Sequence, residues 1–188
     1  MAMVMAAGLA HPTAADYAAG VAAYKQGDFA GALREIRPLA EEGDGDSQYG
    51  LGLLYRSGRG VARDDGQAVK WFRKSAEQGN AKGQYGLANM YRAGRGVAQD
   101  HAQAVKWYRR AAEQGQINAQ HNLGLMYFFG YGVPTDMAES YFWWIAATGA
   151  GHAPSIEWRA KAADALTNER RARIEARAKD WRRRRTAP

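Results

Sequence analysis

The stretch Lys82 to Ile117, KGQYGLANMYRAGRGVAQDHAQAVKWYRRAAEQGQI, decides the fold, because the chain repeats its pattern on either side. Trp71, Trp107 and Trp143 stand 36 residues apart, and Tyr55, Tyr91 and Tyr127 keep the same step. So do Gly58, Gly94 and Gly130, then Gly60, Gly96 and Gly132, and Val61, Val97 and Val133. Asp64, Asp100 and Asp136 follow, then Gly79, Gly115 and Gly151. Columns held at one period over three copies make an internal repeat, and a period of this size belongs to stacked architectures.

Each copy reads as two helices. In the first, Gln84, Leu87, Ala88 and Tyr91 share one face at helical spacing. Gln48, Leu51, Gly52 and Tyr55 do the same, as do Gln120, Leu123, Gly124 and Tyr127. Only Gly or Ala occupies the column of Gly52, Ala88 and Gly124. A mid-helix Gly costs about 1 kcal/mol against Ala, so a neighbouring helix is expected to approach closely there. Gly58 and Gly60 end the helix in a turn. Asp64, Asp100 and Asp136 are expected to cap the second helix, with Gln67, Gln103 and Glu139 reaching back in a reciprocal box. Ala68, Trp71, Phe72 and Ser75 then form an apolar stripe, repeated by Ala104, Trp107, Tyr108 and Ala111 and by Ser140, Trp143, Trp144 and Ala147. The tryptophan column is expected in the core. Nothing alternates as a strand does. One hairpin cannot bury its own apolar face, so neighbours must stack. The fold class is all-α, a right-handed α/α superhelix of helix-turn-helix repeats closed by a C-terminal capping helix.

Outward from the repeats at 46–81, 82–117 and 118–153, the chain changes character. Residues 16–45 form a degenerate hairpin, in which Tyr24 matches Tyr55 if the loop is five residues shorter. It has Leu33-Arg34-Glu35-Ile36 where an aromatic belongs. Residues 154–181 read as capping helices: Thr167 is an N-cap, Ile174, Ala178 and Trp181 share a face, and Glu169–Arg173 and Glu175–Lys179 are i,i+4 pairs. Residues 182–188 are a basic tail. Met1 to Ala10 is nearly all apolar, and small residues at Thr13 and Ala15 resemble an export cleavage site before Asp16. The expectation for residues 1–15 is a signal-peptide remnant or an unstructured start, and export to a bacterial periplasm, with a cytoplasmic location as the alternative.

The columns Ala119, Gln120, Leu123, Gly124, Tyr127, Gly130, Gly132, Val133, Asp136, Trp143, Ala147 and Gly151 resemble the Sel-1-like repeat, a relative of the tetratricopeptide repeat. Ser140 departs from its usual Ala. The resemblance is strong from about residue 46 to 153, and the early segment is closer to a plain tetratricopeptide hairpin. It implies adaptor or scaffold proteins that assemble other proteins without chemistry of their own.

Composition agrees with that class. The chain has 188 residues, 46% of them hydrophobic, and no cysteine, which removes disulfides, thiolate metal sites and cysteine nucleophiles. The net charge of +7 is uneven: from Glu157 onward there are 11 basic and 5 acidic residues. His11, His101, His121 and His152 sit at unrelated positions without metal-ligand spacing. The repeated aspartates are explained by capping, and Gly58-Arg59-Gly60 lacks the context of a nucleotide loop. No catalytic residue, metal, cofactor or small-molecule substrate is expected.

A solenoid of helix pairs presents a concave wall built from the first helix of each pair. Candidate partner-binding residues there are Tyr49, Leu53 and Arg56, then Tyr85, Asn89 and Arg92, then His121, Leu125 and Phe128. The expected partner is a protein or peptide contacting Arg56 and Arg92 through carboxylates. Alternatives are a structural accessory subunit held by its C-terminal extension, or nucleic-acid or anionic-membrane binding through Arg182, Arg183, Arg184 and Arg185.

Overall fold

The computed structural model describes residues 14–186, with side chains from 17 to 185. Among these residues there are ten helices and no strand: α1 (Ala14–Lys25), α2 (Phe29–Glu42), α3 (Gly45–Ser57), α4 (Asp65–Glu77), α5 (Ala81–Ala93), α6 (His101–Glu113), α7 (Ile117–Phe129), α8 (Met137–Gly149), α9 (Ser155–Asp164) and α10 (Asn168–Thr186). Consecutive helices pack on one another from α1 to α9, giving a right-handed α/α superhelix of stacked hairpins. The apolar start and residues 11–13 lie outside the described residues.

The small-residue column seats aromatic rings. A Cβ on Gly52 would stand 2.6 Å from the Phe72 ring, and one on Gly124 2.5 Å from Trp144. Phe72, Tyr108 and Trp144 are fully buried, at 0% exposure. They, and not the tryptophans one residue earlier, are the central rings of the core. Trp107 and Trp143 are buried, but Trp71 is only half-buried, with the Lys74 ammonium 4.3 Å from its ring centroid. The expected core column therefore lies one position later, because the face directed at the next hairpin is the one sealed on both sides.

Polar columns stitch successive hairpins together. Gln48, Gln84 and Gln120 are buried, and each donates through Nε2 to a carbonyl near the end of the preceding second helix: Ala40, Ala76 and Ala112. Each carbonyl also accepts from the N–H of the glycine that closes its helix, Gly43, Gly79 or Gly115, and the glutamine adds a second donor from the next hairpin. Asp64, Asp100 and Asp136 accept from backbone N–H groups of the first turn of α4, α6 and α8. The reciprocal half of the expected box is replaced. The N–H groups of Asp64, Asp100 and Asp136 donate to the carbonyls of Tyr55, Tyr91 and Tyr127, closing the loop on the helix that entered it.

The second turn glycine is set by its neighbour. Gly96 has φ +66°, and a Cβ there would run into the Asp65 carbonyl at the start of α4. Gly60 meets Phe29 and Gly132 meets His101 in the same way. The turn thus docks on the preceding hairpin. The residue before each glycine completes the dock: Arg59 lies 5.0 Å from the Phe29 ring centroid, Arg95 pairs with Asp65 at 2.8 Å, and Tyr131 stacks on His101 at 5.4 Å.

Both ends depart from the repeat. A Cβ on Gly20 would stand 2.5 Å from Ile36, as Gly52 stands to Phe72. Gly20 to Gly52 is a step of 32 and Ile36 to Phe72 a step of 36, so the first loop is shorter by four residues. The pairing of Tyr24 with Tyr55, which implied five, is one residue out of register. At the other end, α9 and α10 both pack on α8. Trp181 meets Phe142 and Trp143 edge-on, Tyr141 Oη donates to Glu175 at 2.6 Å, and Arg177 pairs with Glu139. Glu175 is therefore engaged across helices and not with Lys179. Thr167 Oγ1 accepts from the Arg170 N–H, in the capping role read from sequence.

Candidate functional site

The nine residues expected on the concave wall gather in threes around the buried rings. On α3, Tyr49 lies 5.7 Å from the Phe72 ring, and the Arg56 guanidinium lies 5.8 Å from the same centroid. Leu53, between them, is half-buried. One hairpin later, Tyr85 lies 6.1 Å from Tyr108. The Tyr108 hydroxyl donates to Asn89 Oδ1 at 2.6 Å and accepts from Arg92 Nε at 3.1 Å and Asn122 Nδ2 at 3.2 Å. Its valence is filled. Burial pushes the phenol up to about 12, so it stays protonated.

The third set is shared with the C-terminal cap. Phe128 packs between Trp144 and Trp158 of α9, each 5.6 Å away, while Leu125 is half-buried. His121 and His152 are brought together, with ring centroids 4.7 Å apart, which corrects the reading of the histidines as unrelated. Each places Nδ1 against the buried Ser155 hydroxyl, at 2.9 and 2.8 Å. One hydroxyl hydrogen serves one acceptor, so one imidazole accepts it and the other donates its own Nδ1–H. Burial first, and then the facing His152, holds His121 down to about 4; burial also lowers His152. His121 near the start of α7 and His152 just before α9 are 31 residues apart, and the packing of the last hairpin brings them together.

Of the nine, Arg92 is exposed and the other eight are half-buried. Among the described residues, neither Arg56 nor Arg92 forms an ion pair, whereas Arg63 and Arg95 both reach Asp65. Asp46, at the other edge, is held below the usual carboxylate range by Lys82 and Asn80, against the opposing effect of burial.

The basic C-terminal cluster is the last part of α10, which remains helical to Thr186. Arg185 donates to the Gln114 carbonyl at 2.7 Å and lies 4.8 Å from the Trp181 ring, and Arg183 pairs with Asp180 at 3.2 Å. A Cβ on Gly149 would meet the Arg182 guanidinium, and Arg184 borders a surface hollow with Glu113, Arg177 and Trp181. The cluster is docked along α10 as well as charged. Residues that the sequence pattern did not single out are Tyr17, Asn122, Trp158 and two exposed rings, Phe129 at 47% and Tyr131 at 49%. Their signal was available: Phe129 and Tyr131 replace Ser57 and Ala93, and Arg59 and Arg95, at the repeat step.

Comparison with known proteins bears on the family. The family model described as Sel1 repeat matches residues 45–80, 81–116 and 117–152, a frame one residue earlier than the sequence reading. A Sel1 repeat protein from Oxalobacter formigenes has a crystal structure similar to this one, with a TM-score of 0.71 and 30% identity over 76% of this chain. A protective antigen of uropathogenic Escherichia coli strains, displaying an SLR fold, gives 0.61 and 28% over 91%. This chain spans 57% and 45% of the lengths of those two proteins. No curated protein sequence matches it.

Proposed function

The chain belongs to the Sel1 repeat family, whose repeats generally form protein-interaction scaffolds, and on that premise we propose that it is a non-enzymatic adaptor holding a partner protein or peptide on its concave wall. The observation that carries this reading is the pair Arg56 and Arg92, set among aromatic side chains without a carboxylate partner. An extended or helical partner segment lies along α3 and α5 and brings the carboxylates. Arginine and tyrosine are frequent anchors where a partner excludes water. Removal of a buried charge partner would cost more than loss of a surface pair, so the arginines set specificity as well as affinity.

Charge reversal at both positions, Arg56→Glu with Arg92→Glu, tests it. Cross-linking capture from the source organism is expected to lose its partner while the melting temperature stays close to that of the parent. Retention of every partner would reject the reading. The apolar start and the small residues at Thr13 and Ala15 support export, with Asp16 as the first residue after cleavage. The same capture, run on separated cell fractions, is expected to find the protein in the periplasm, and recovery from the cytoplasm alone would remove that part.

A further inference from the structure

The ring column that fills the solenoid is missing one member. Phe72 sits between Gly52 and Gly86: a Cβ on either glycine would stand within 2.6–2.8 Å of its ring. Trp144 sits between Gly124 and Trp158, and Tyr108 reaches Asn122 across the same gap. One repeat earlier the position belongs to Ile36, again between two glycines, Gly20 and Gly50. An isoleucine is shorter than a ring. A Cβ on Gly50 would have the edge of the Tyr17 ring at 3.2 Å and the Ile36 methyls at 3.5 Å, where Gly86 has the Phe72 ring at 2.8 Å.

The space left over is a cavity of about 160 Å³. Its floor is Ile36, Gly50 and Leu54, all buried; its rim is Tyr17, Val21, Tyr24 and Leu53, all half-buried. The lining is apolar. It opens to solvent at this rim, and its size and apolar lining suit a benzene-sized guest. Leu53 belongs to the concave wall, and Arg56 lies one helical turn further along the same face of α3. Arg59 donates to the Tyr24 hydroxyl, so its guanidinium stands over the rim. Asp44 and Asp46 approach from the Tyr17 side, where the first caps α3 and the second holds Lys82.

We propose that this cavity is the anchor site for one bulky apolar side chain of the partner, of phenylalanine or leucine size, which completes the ring column from outside. The flanking arginines require that the anchor be followed by carboxylates on its Arg56 and Arg59 side. The proposal rests on the concave-wall reading and adds to it the chemistry of the partner: an acidic segment carrying a single large apolar residue.

The test uses the full chain and two probes. The first is benzene, followed through the methyl resonances of Val21, Ile36, Leu53 and Leu54. The second is a set of short synthetic peptides with Phe, Leu or Ala as the anchor, flanked by Glu or by Lys. Benzene is expected to shift the methyls, and Phe or Leu peptides with Glu flanks to bind about 10- to 100-fold more tightly than the Ala peptide. Ile36→Phe restores the ring between its two glycines. It is expected to raise the melting temperature and abolish both effects. Leu53→Trp fills the cavity from the rim and is expected to do the same to binding, should the first variant fail to fold. No benzene shift, no preference over Ala, or unchanged peptide affinity in the filled variants would each overturn the proposal. Peptide binding that survives Ile36→Phe and Leu53→Trp but is lost on charge reversal at Arg56 and Arg92 leaves the wall standing and removes the anchor. Binding indifferent to all of them removes the wall as well.

Discussion

Helices α4 and α8 occupy the same place in their hairpins and present opposite surfaces. On α4 the outer positions are Lys70, Arg73 and Lys74, all exposed; on α8 the same columns hold Phe142, Ile145 and Ala146, all buried. Eight consecutive residues, Ser140 to Ala147, are buried on α8. A helix apolar on one stripe needs one neighbour layer, and a helix apolar all round needs covering on every side. The repeat supplies the first requirement for α4 and α6. The C-terminal extension supplies the second for α8, by laying α9 and α10 over it. Solenoid ends must present a polar outer face, and here the arginines of α10 provide it.

The contrast yields graded expectations. Trp144→Ala removes a fully buried ring between α7 and α9 and is expected to destabilise by about 3–5 kcal/mol. Trp71→Ala, at a half-buried position, is expected to lose about 1 kcal/mol. Denaturant midpoints check both, and equal shifts would erase the distinction between the two ring columns. Exchanging the outer surfaces is the next measure. Ile145→Arg places a charge beneath the cap beside Arg159 and Arg182, at about 2–4 kcal/mol. Arg73→Ile on the open helix is expected within about 0.5 kcal/mol of the parent. A cap that tolerates the arginine is not packed as described.

A further expected effect is pH-dependent and confined to the capped end. The His121 imidazole faces His152 and the Ser155 hydroxyl, while its backbone carbonyl accepts from the Trp144 indole N–H, and none of these groups is a carboxylate. Its folded value of about 4 lies below the ordinary 6.5, so the unfolded chain takes up the proton first. Stability is therefore full above about pH 6.5 and falls as pH drops toward 4, then levels off. Melting temperatures across that window are expected to decline in the parent and to decline less in His121→Gln. A variant with the same slope would place the titration elsewhere.

Much of this was legible in the residues. The 36-residue step, the seated small column, the capping aspartates and the resemblance to the Sel-1-like repeat could all be read directly, because a repeat displays the same physical demand three times. The buried ring column was misassigned by one position, since Trp71 and Phe72 both lie on the apolar stripe and only the neighbouring hairpin decides which is sealed. The coverage of α8 was also written in the chain, in the replacement of Lys70, Arg73 and Lys74 by apolar residues, but it shows only when copies are compared for their differences. Of the nine residues expected on the concave wall, the first two trios surround Phe72 and Tyr108, and the third lies against Trp158.

Periodicity and turn chemistry by themselves determined the helices, their pairing and the stacked class, because each hairpin carries an apolar stripe it cannot bury alone. Only the tertiary structure decided where the stack stops, which histidines meet, and that Ile36, at the place of a ring in later copies, borders an apolar pocket with Gly50 and Tyr17. Those outcomes depend on the distance between helices far apart in the chain, and packing, unlike local propensity, is settled only when both surfaces are in place.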